Sequence, residues 1–128
     1  MDRGQLNALS KVVVDSAFAV HSEMGPGLLE AVYQQCLIQE LRVRGAAVDV
    51  MVIIPLVYKG IVLNKDYILD ILVEQEIILE LKAVEGILPV HEAQIISYLK
   101  LAKKKLGFLI NFNVPLLKNG LHRFVNNF

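Results

Sequence analysis

Residues 67 to 84 read YILDILVEQEIILELKAV: two apolar, β-branched runs separated by three polar residues, with Asp70, Glu80 and Lys82 inside them. Runs so rich in Ile, Leu and Val, with no Gly or Pro, predict neighbouring strands buried in a sheet. Taking a charge out of water costs on the order of several kcal/mol, so something must compensate for the three that stand here. A structural ion pair, an edge open to solvent, or a site that needs charge would each do so. Side chains alternate across a strand, which puts Glu80 and Lys82 on one face and Leu79, Leu81 and Ala83 on the other. If the two runs form a hairpin, Asp70 falls opposite Glu80 only when the loop is odd and centred on Gln75. A two-residue loop would pair Asp70 with Leu81 instead.

Two carboxylates side by side repel each other and call for a cation. Lys82 supplies part of that charge, and a hard divalent ion with oxygen ligands is the better partner. Mg2+ or Mn2+ held by Asp70, Glu80 and the Leu81 carbonyl would keep several waters. One of these, or a neighbouring water oriented by Lys82, could attack a phosphodiester while the ion steadies the developing charge. On the residues alone this reading stands beside the ion pair and the exposed edge.

The rest of the chain frames those strands. Leu6, Leu9, Val13, Ala17 and Val20 recur at helical spacing, predicting an amphipathic helix over about 5 to 23 that MGPG at 24 to 27 stops. A second helix is expected from near Leu28, with Leu29, Val32, Tyr33, Cys36, Leu37 and Leu41 as its apolar positions and Gly45 closing it. VDVMVIIPLVY reads as a strand whose Pro55 marks an edge or a bulge. After KG the chain continues as IVL, is interrupted by NKD, and enters the two core runs. Pro89 suits the first turn of a helix through VHEAQIISYLKLAKKK. FLINF is a further buried strand, NVPLLKNG a loop and LHRFVNNF a short terminal strand. The order predicts one α/β domain over residues 1–128, a mixed central sheet flanked by helices.

The charge balance is uneven. Residues 1 to 93 carry thirteen acidic and seven basic groups, while the last 35 carry no acid and six bases: Lys100, Lys103, Lys104, Lys105, Lys118 and Arg123. Such a segment can bind phosphates, and it is equally what a solvated helix end near its dipole would show. The chain is 55% hydrophobic, more than an ordinary soluble domain, so a homodimer burying part of its surface is expected. Cys36 is the only cysteine, which excludes an internal disulfide and fits a reducing, cytoplasmic setting. The longest apolar run, VMVIIPLVY, is about half of a membrane span, so no membrane partner is expected.

The segments HSEMGPGLLEAVYQQCLIQELRVRG, PLVYKGIVLNKDYILDILV and IILELKAVEGILPVHEAQIISYLKLAKKKLGFLINFNVPLLKNGLHRFV together resemble the GxxExxY protein family. Gly27, Glu30 and Tyr33 form its naming motif, and D-x9-E-x-K is similar to the signature of the PD-(D/E)XK nuclease superfamily. The resemblance implies a PD-(D/E)XK-like, restriction-endonuclease-like core. It also implies a Mg2+- or Mn2+-dependent nuclease acting on DNA or RNA. Asp70 and Glu80 would bind metal and Lys82 would position the nucleophile. Glu30 matches the extra acidic residue, and Gln94 the glutamine, that many members place near the metal. Lys100, Lys103, Lys104 and Tyr98 are candidate nucleic-acid contacts. The alternative is a catalytically silent module that keeps the fold and binds nucleic acid or protein.

Each candidate has a structural reading too. Glu30 favours the positive end of its helix, Tyr33 and Tyr98 suit a core with their hydroxyls bonded, and His21 and His91 read as structural. One position departs from the family: YILD carries Ile68 where members commonly have Arg, on the face expected for Asp70.

Overall fold

The computed structural model describes all 128 residues. Helix α1 (Arg3–Met24) opens on Asp2, whose carboxylate accepts from the Gln5 N–H at 2.8 Å while the Gln5 side chain accepts from the Asp2 N–H at 2.9 Å. This reciprocal cap satisfies two N–H groups that a helix start leaves unpaired, and it carries the helix two residues earlier than its apolar spacing alone predicts. Helix α2 (Glu30–Val43) follows. Then come β1 (Val48–Tyr58), β2 (Ile61–Val73), β3 (Ile77–Lys82), α3 (Pro89–Ala102), β4 (Leu106–Asn111), a 3₁₀ turn (Leu117–Asn119) and β5 (Leu121–Val125).

The strands form one sheet in the order β1-β2-β3-β4-β5, antiparallel except for β3 and β4, which run parallel and are joined through α3. One face of the sheet packs under α1 and α2 in a core of twenty buried residues that includes Tyr33, Leu37, Ile71, Leu79, Leu81 and Phe112. The other face packs under α3 through Leu69, Leu72, Ile78 and Leu99. The expected mixed sheet flanked by helices is therefore the observed one, with both sheet faces covered.

Two expectations are corrected. The second helix begins at Glu30 and not at Leu28: Gly27 has φ +95°, Leu29 is extended at φ −70° and ψ 147°, and Leu29 is left 77% exposed. NKD does not interrupt a strand, because β2 runs unbroken through Asn64, Lys65 and Asp66. Beyond the end of β3 only β1 pairs with β2, so both faces of that stretch meet water and polar residues fit it. The resulting ribbon also holds much of the apolar surplus: Ile53, Val57, Tyr58, Ile61, Val62 and Ile68 are all exposed. Pro55 marks an edge strand and a register shift, as its position predicts.

The β2–β3 hairpin has the odd loop that the site requires. Ile71 pairs with Leu79, Leu72 with Ile78 and Val73 with Ile77, leaving Glu74, Gln75 and Glu76 as the turn. Glu74 and Gln75 take φ values of 52° and 58°, and the Gln75 side chain donates to the Asp49 carboxylate on β1. The same register continued by one residue sets Asp70 opposite Glu80.

Candidate active site at the strand fork

The ladder between β2 and β3 stops at Ile71, one residue short of Asp70. On the other side, Met51 and Asp70 drop out of the β1–β2 pairing, and Met51 takes φ 53°. Side chains supply the missing bonds. The Asp70 N–H donates to Glu80 Oε1 at 3.2 Å, and the Leu81 N–H donates to Asp70 Oδ2 at 3.0 Å. Each carboxylate thus binds a backbone N–H of the opposite strand, which fixes both where the strands part.

Alternation breaks at the same place. Ile71 and Val73 face α1 and α2, whereas Leu69 packs with Leu72 and Ile78 against α3, although an odd separation should put Leu69 and Leu72 on opposite faces. Strict alternation therefore no longer places Ile68 relative to Asp70. Ile68 pairs across the ribbon with Ile53 and is 45% exposed.

Glu80 is buried, and its carboxyl is pushed up to about 8, first by burial and next by the charge of Asp70; Lys82 opposes this with the smallest effect. The pair is short of positive charge. Glu30, in the first turn of α2, has its carboxyl raised by burial and by Asp70, while Lys82 lowers it. Tyr98, on α3, has its hydroxyl raised by burial, then by Glu80, Asp70 and Tyr67, and it meets Tyr67 edge to face at 5.6 Å. The fork therefore gathers Asp70, Glu80, Lys82 and Glu30, with Tyr98 beside them.

The remaining candidates make no hydrogen bond to Asp70 or Glu80. Gln94 is exposed one turn before Tyr98 on α3, and its side chain makes no hydrogen bond. Lys100, Lys103 and Lys104 line a separate cavity at the far end of that helix. His91 caps α3 by accepting from the Leu88 N–H at 3.0 Å, and His21 is buried with Nε2 at 2.7 Å from the Val114 carbonyl.

The Gly27, Glu30, Tyr33 spacing has a physical account. Tyr33 is fully buried and stacks on Phe112 at 4.7 Å. Its hydroxyl donates to the Gly25 carbonyl at 2.5 Å and accepts from the Leu28 N–H at 3.1 Å. The tyrosine thus ties down the loop that turns on Gly27, and this sets where α2 begins and where Glu30 stands. Tyr33 is a core aromatic with a bonded hydroxyl.

Asn111 was not singled out from the sequence, yet it bears on the site. It is buried and pairs with Lys82 in the parallel register. Its side chain accepts from the Val84 N–H at 3.1 Å and donates to the Val84 carbonyl at 2.9 Å, while the Phe112 N–H donates to the Lys82 carbonyl at 3.0 Å. These bonds hold the backbone on the C-terminal side of Lys82. A lone Asn at the end of the buried run LGFLIN was the available signal.

The donor set suits a hard divalent ion. Two carboxylates, each with one oxygen engaged by a backbone N–H, offer oxygen ligands at a point where Lys82 is the one cation acting on them. No group of three or more His, Cys, Asp or Glu side chains is assembled for a metal, so an ion here would rest on two side chains and complete its shell with water or backbone oxygens.

A mixed sheet with helices on both faces, opening at a carboxylate pair with a lysine two residues further on, defines a core of the PD-(D/E)XK type. The chain belongs to the PD-(D/E)XK nuclease superfamily, whose profile matches residues 7–124. Nucleases of this superfamily generally use divalent metal ions. No curated protein and no solved structure matches the chain. No helix is long and apolar enough to cross a membrane.

Proposed function

We propose that the chain is a Mg2+- or Mn2+-dependent nuclease that hydrolyses phosphodiester bonds of DNA or RNA at the fork. The observation that carries this reading is the pair Asp70 and Glu80, held against each other by backbone N–H groups at the one point where buried strands part. Keeping both carboxylates charged at this place works against stability, since burial and the charge of Asp70 push the Glu80 carboxyl up to about 8. A bound divalent ion would supply Lewis acidity and charge neutralisation for the phosphoryl oxygens. Lys82 stands where it can orient a water, and the clamp on the Val84 and Lys82 backbone keeps its strand end in place. Glu30 faces the same centre from α2 and can accept a proton from a water there. Tyr98 and Tyr67 border the fork on the α3 side, where they can meet a sugar or base. None of the three surface cavities is lined by Asp70, Glu80 or Lys82, so no enclosed small-molecule pocket stands at the fork.

The test is incubation of the pure chain with labelled single- and double-stranded DNA and RNA, in Mg2+, in Mn2+ and in chelator, beside Lys82→Ala. Cleavage that needs the metal and falls about 10²-fold or more in the variant is expected. A second reading, a silent binding module, draws on Ile68 and on the two-carboxylate donor set. Binding of nucleic acid without cleavage under every metal condition would favour it.

A further inference from the structure

Four lysines surround one cavity with no acid among them. Lys100, Lys103, Lys104, Lys105, Asn126 and Asn127 line a space of about 320 Å³ with no hydrophobic residue in its wall. The three ion pairs of the structure, Met1–Glu76, Lys11–Asp15 and Arg44–Glu40, involve none of these lysines. No Asp or Glu occurs after Glu92. Like charges gathered without counter-charge repel, and an anion between them removes the repulsion.

The helix dipole accounts for only part of the cluster. Lys100 lies in the last turn of α3, but the helix ends at Ala102, so Lys104 and Lys105 fall beyond it. The cavity is also built rather than incidental. Lys103 closes the helix in a left-handed conformation, φ 56°, with its N–H on the Leu99 and Lys100 carbonyls. The Asn126 side chain donates to the Lys104 carbonyl at 3.1 Å and the Leu99 carbonyl at 3.4 Å, and its N–H donates to the Lys105 carbonyl at 2.9 Å. The chain after β5 is thereby tied across the helix end, and the lysines stand on a rigid floor.

The placement fits a strand that also crosses the fork. Leu106, next to Lys105, pairs with Ile77, three residues before Glu80 on β3. At about 3.3 Å per residue that is roughly 10 Å along the strand. Tyr98 lies between, two residues before Lys100.

We propose that this lysine cradle is a second phosphate site, which grips the backbone of the nucleic-acid strand away from the fork. It rests on the nuclease reading only for what the strand is doing there. The test is anisotropy of a labelled single-stranded oligonucleotide of mixed sequence, bound by the full chain in chelator across a salt series. Lys103→Gln/Lys104→Gln should weaken binding about tenfold at low salt and flatten the slope of log affinity against log salt by about 1.4, two contacts' worth at about 0.7 each. Lys103→Glu should weaken it further, and Lys11→Gln on α1 should leave it unchanged. Circular dichroism of each variant confirms that it is folded. The proposal is overturned if the wild-type chain does not bind, or if folded Lys103→Glu and the double variant bind like wild type. It is also overturned if inorganic phosphate displaces the oligonucleotide at equal phosphate concentration, which would make the cavity a free-anion site. Lysine-dependent binding by a chain that never cleaves would end the nuclease reading and leave the cradle standing; cleavage indifferent to these lysines would do the reverse.

Discussion

Replacing Asp70 with Asn should remove nuclease activity and, at the same time, raise the melting temperature of the metal-free chain. The activity loss is expected to be about 10³-fold, since Asn keeps the shape and the bond from the Leu81 N–H but not the charge. The stability gain follows from Glu80. Its carboxyl is raised from 4.5 to about 8, so between those values the folded chain holds a proton that the unfolded chain does not. The stability it contributes is greatest below about 4.5 and falls as the pH rises through about 8. Asp70 is the second cause of the shift after burial, and its removal makes that decline shallower. Thermal melts in chelator from pH 5 to 9 should show the variant gaining a few degrees near pH 8.5 and little at pH 5. A melting temperature that falls at every pH would mean that the pair stabilises the fold as an ordinary structural contact.

Gly120→Ala should unfold much of the population or cost about 3 kcal/mol or more. A Cβ built on Gly120 would lie 2.1 Å from the Asn111 carbonyl oxygen, a backbone atom at the end of a buried strand that cannot swing aside. The same two residues share a bond, from the Asn111 N–H to the Gly120 carbonyl at 2.8 Å, so the clash breaks the contact that seats the Asn111 clamp. Gly107→Ala is the useful contrast. Its Cβ would meet the Ile95 side chain at 3.1 Å, the Ile78 carbonyl at 3.2 Å and the Leu99 side chain at 3.3 Å, two of which can yield. That substitution should cost about 1 kcal/mol. Urea titrations of the two variants check the order, and equal costs would contradict this account of the Asn111 corner.

The site's two core strands were legible because period-two patterning and loop parity are local. An odd turn on Gln75 was enough to set Asp70 against Glu80, and the pairing of Ile71 with Leu79 bears it out. The face of Ile68 was not legible, because alternation holds only while the backbone stays regular, and Met51, on a different strand, departs from it at φ 53°. The start of α2 was misread for a related reason. Leu28 and Leu29 fit the apolar pattern of the helix, but a hydroxyl five residues on holds the Leu28 N–H outside it. Asn111 acts through its partner across a parallel pair, and the crossover that brings β4 beside β3 has no local signature that fixes the register. The lysines were legible as charge, and the cavity they line only as structure.

The most direct measurement of the central claim is calorimetric titration of Mn2+ into the wild-type chain, Asp70→Asn and Glu80→Gln. One ion per wild-type chain, lost in both variants while each remains folded, is the predicted result. An ion bound equally well by all three, or by none of them at millimolar Mn2+, would contradict a metal-dependent centre at the fork.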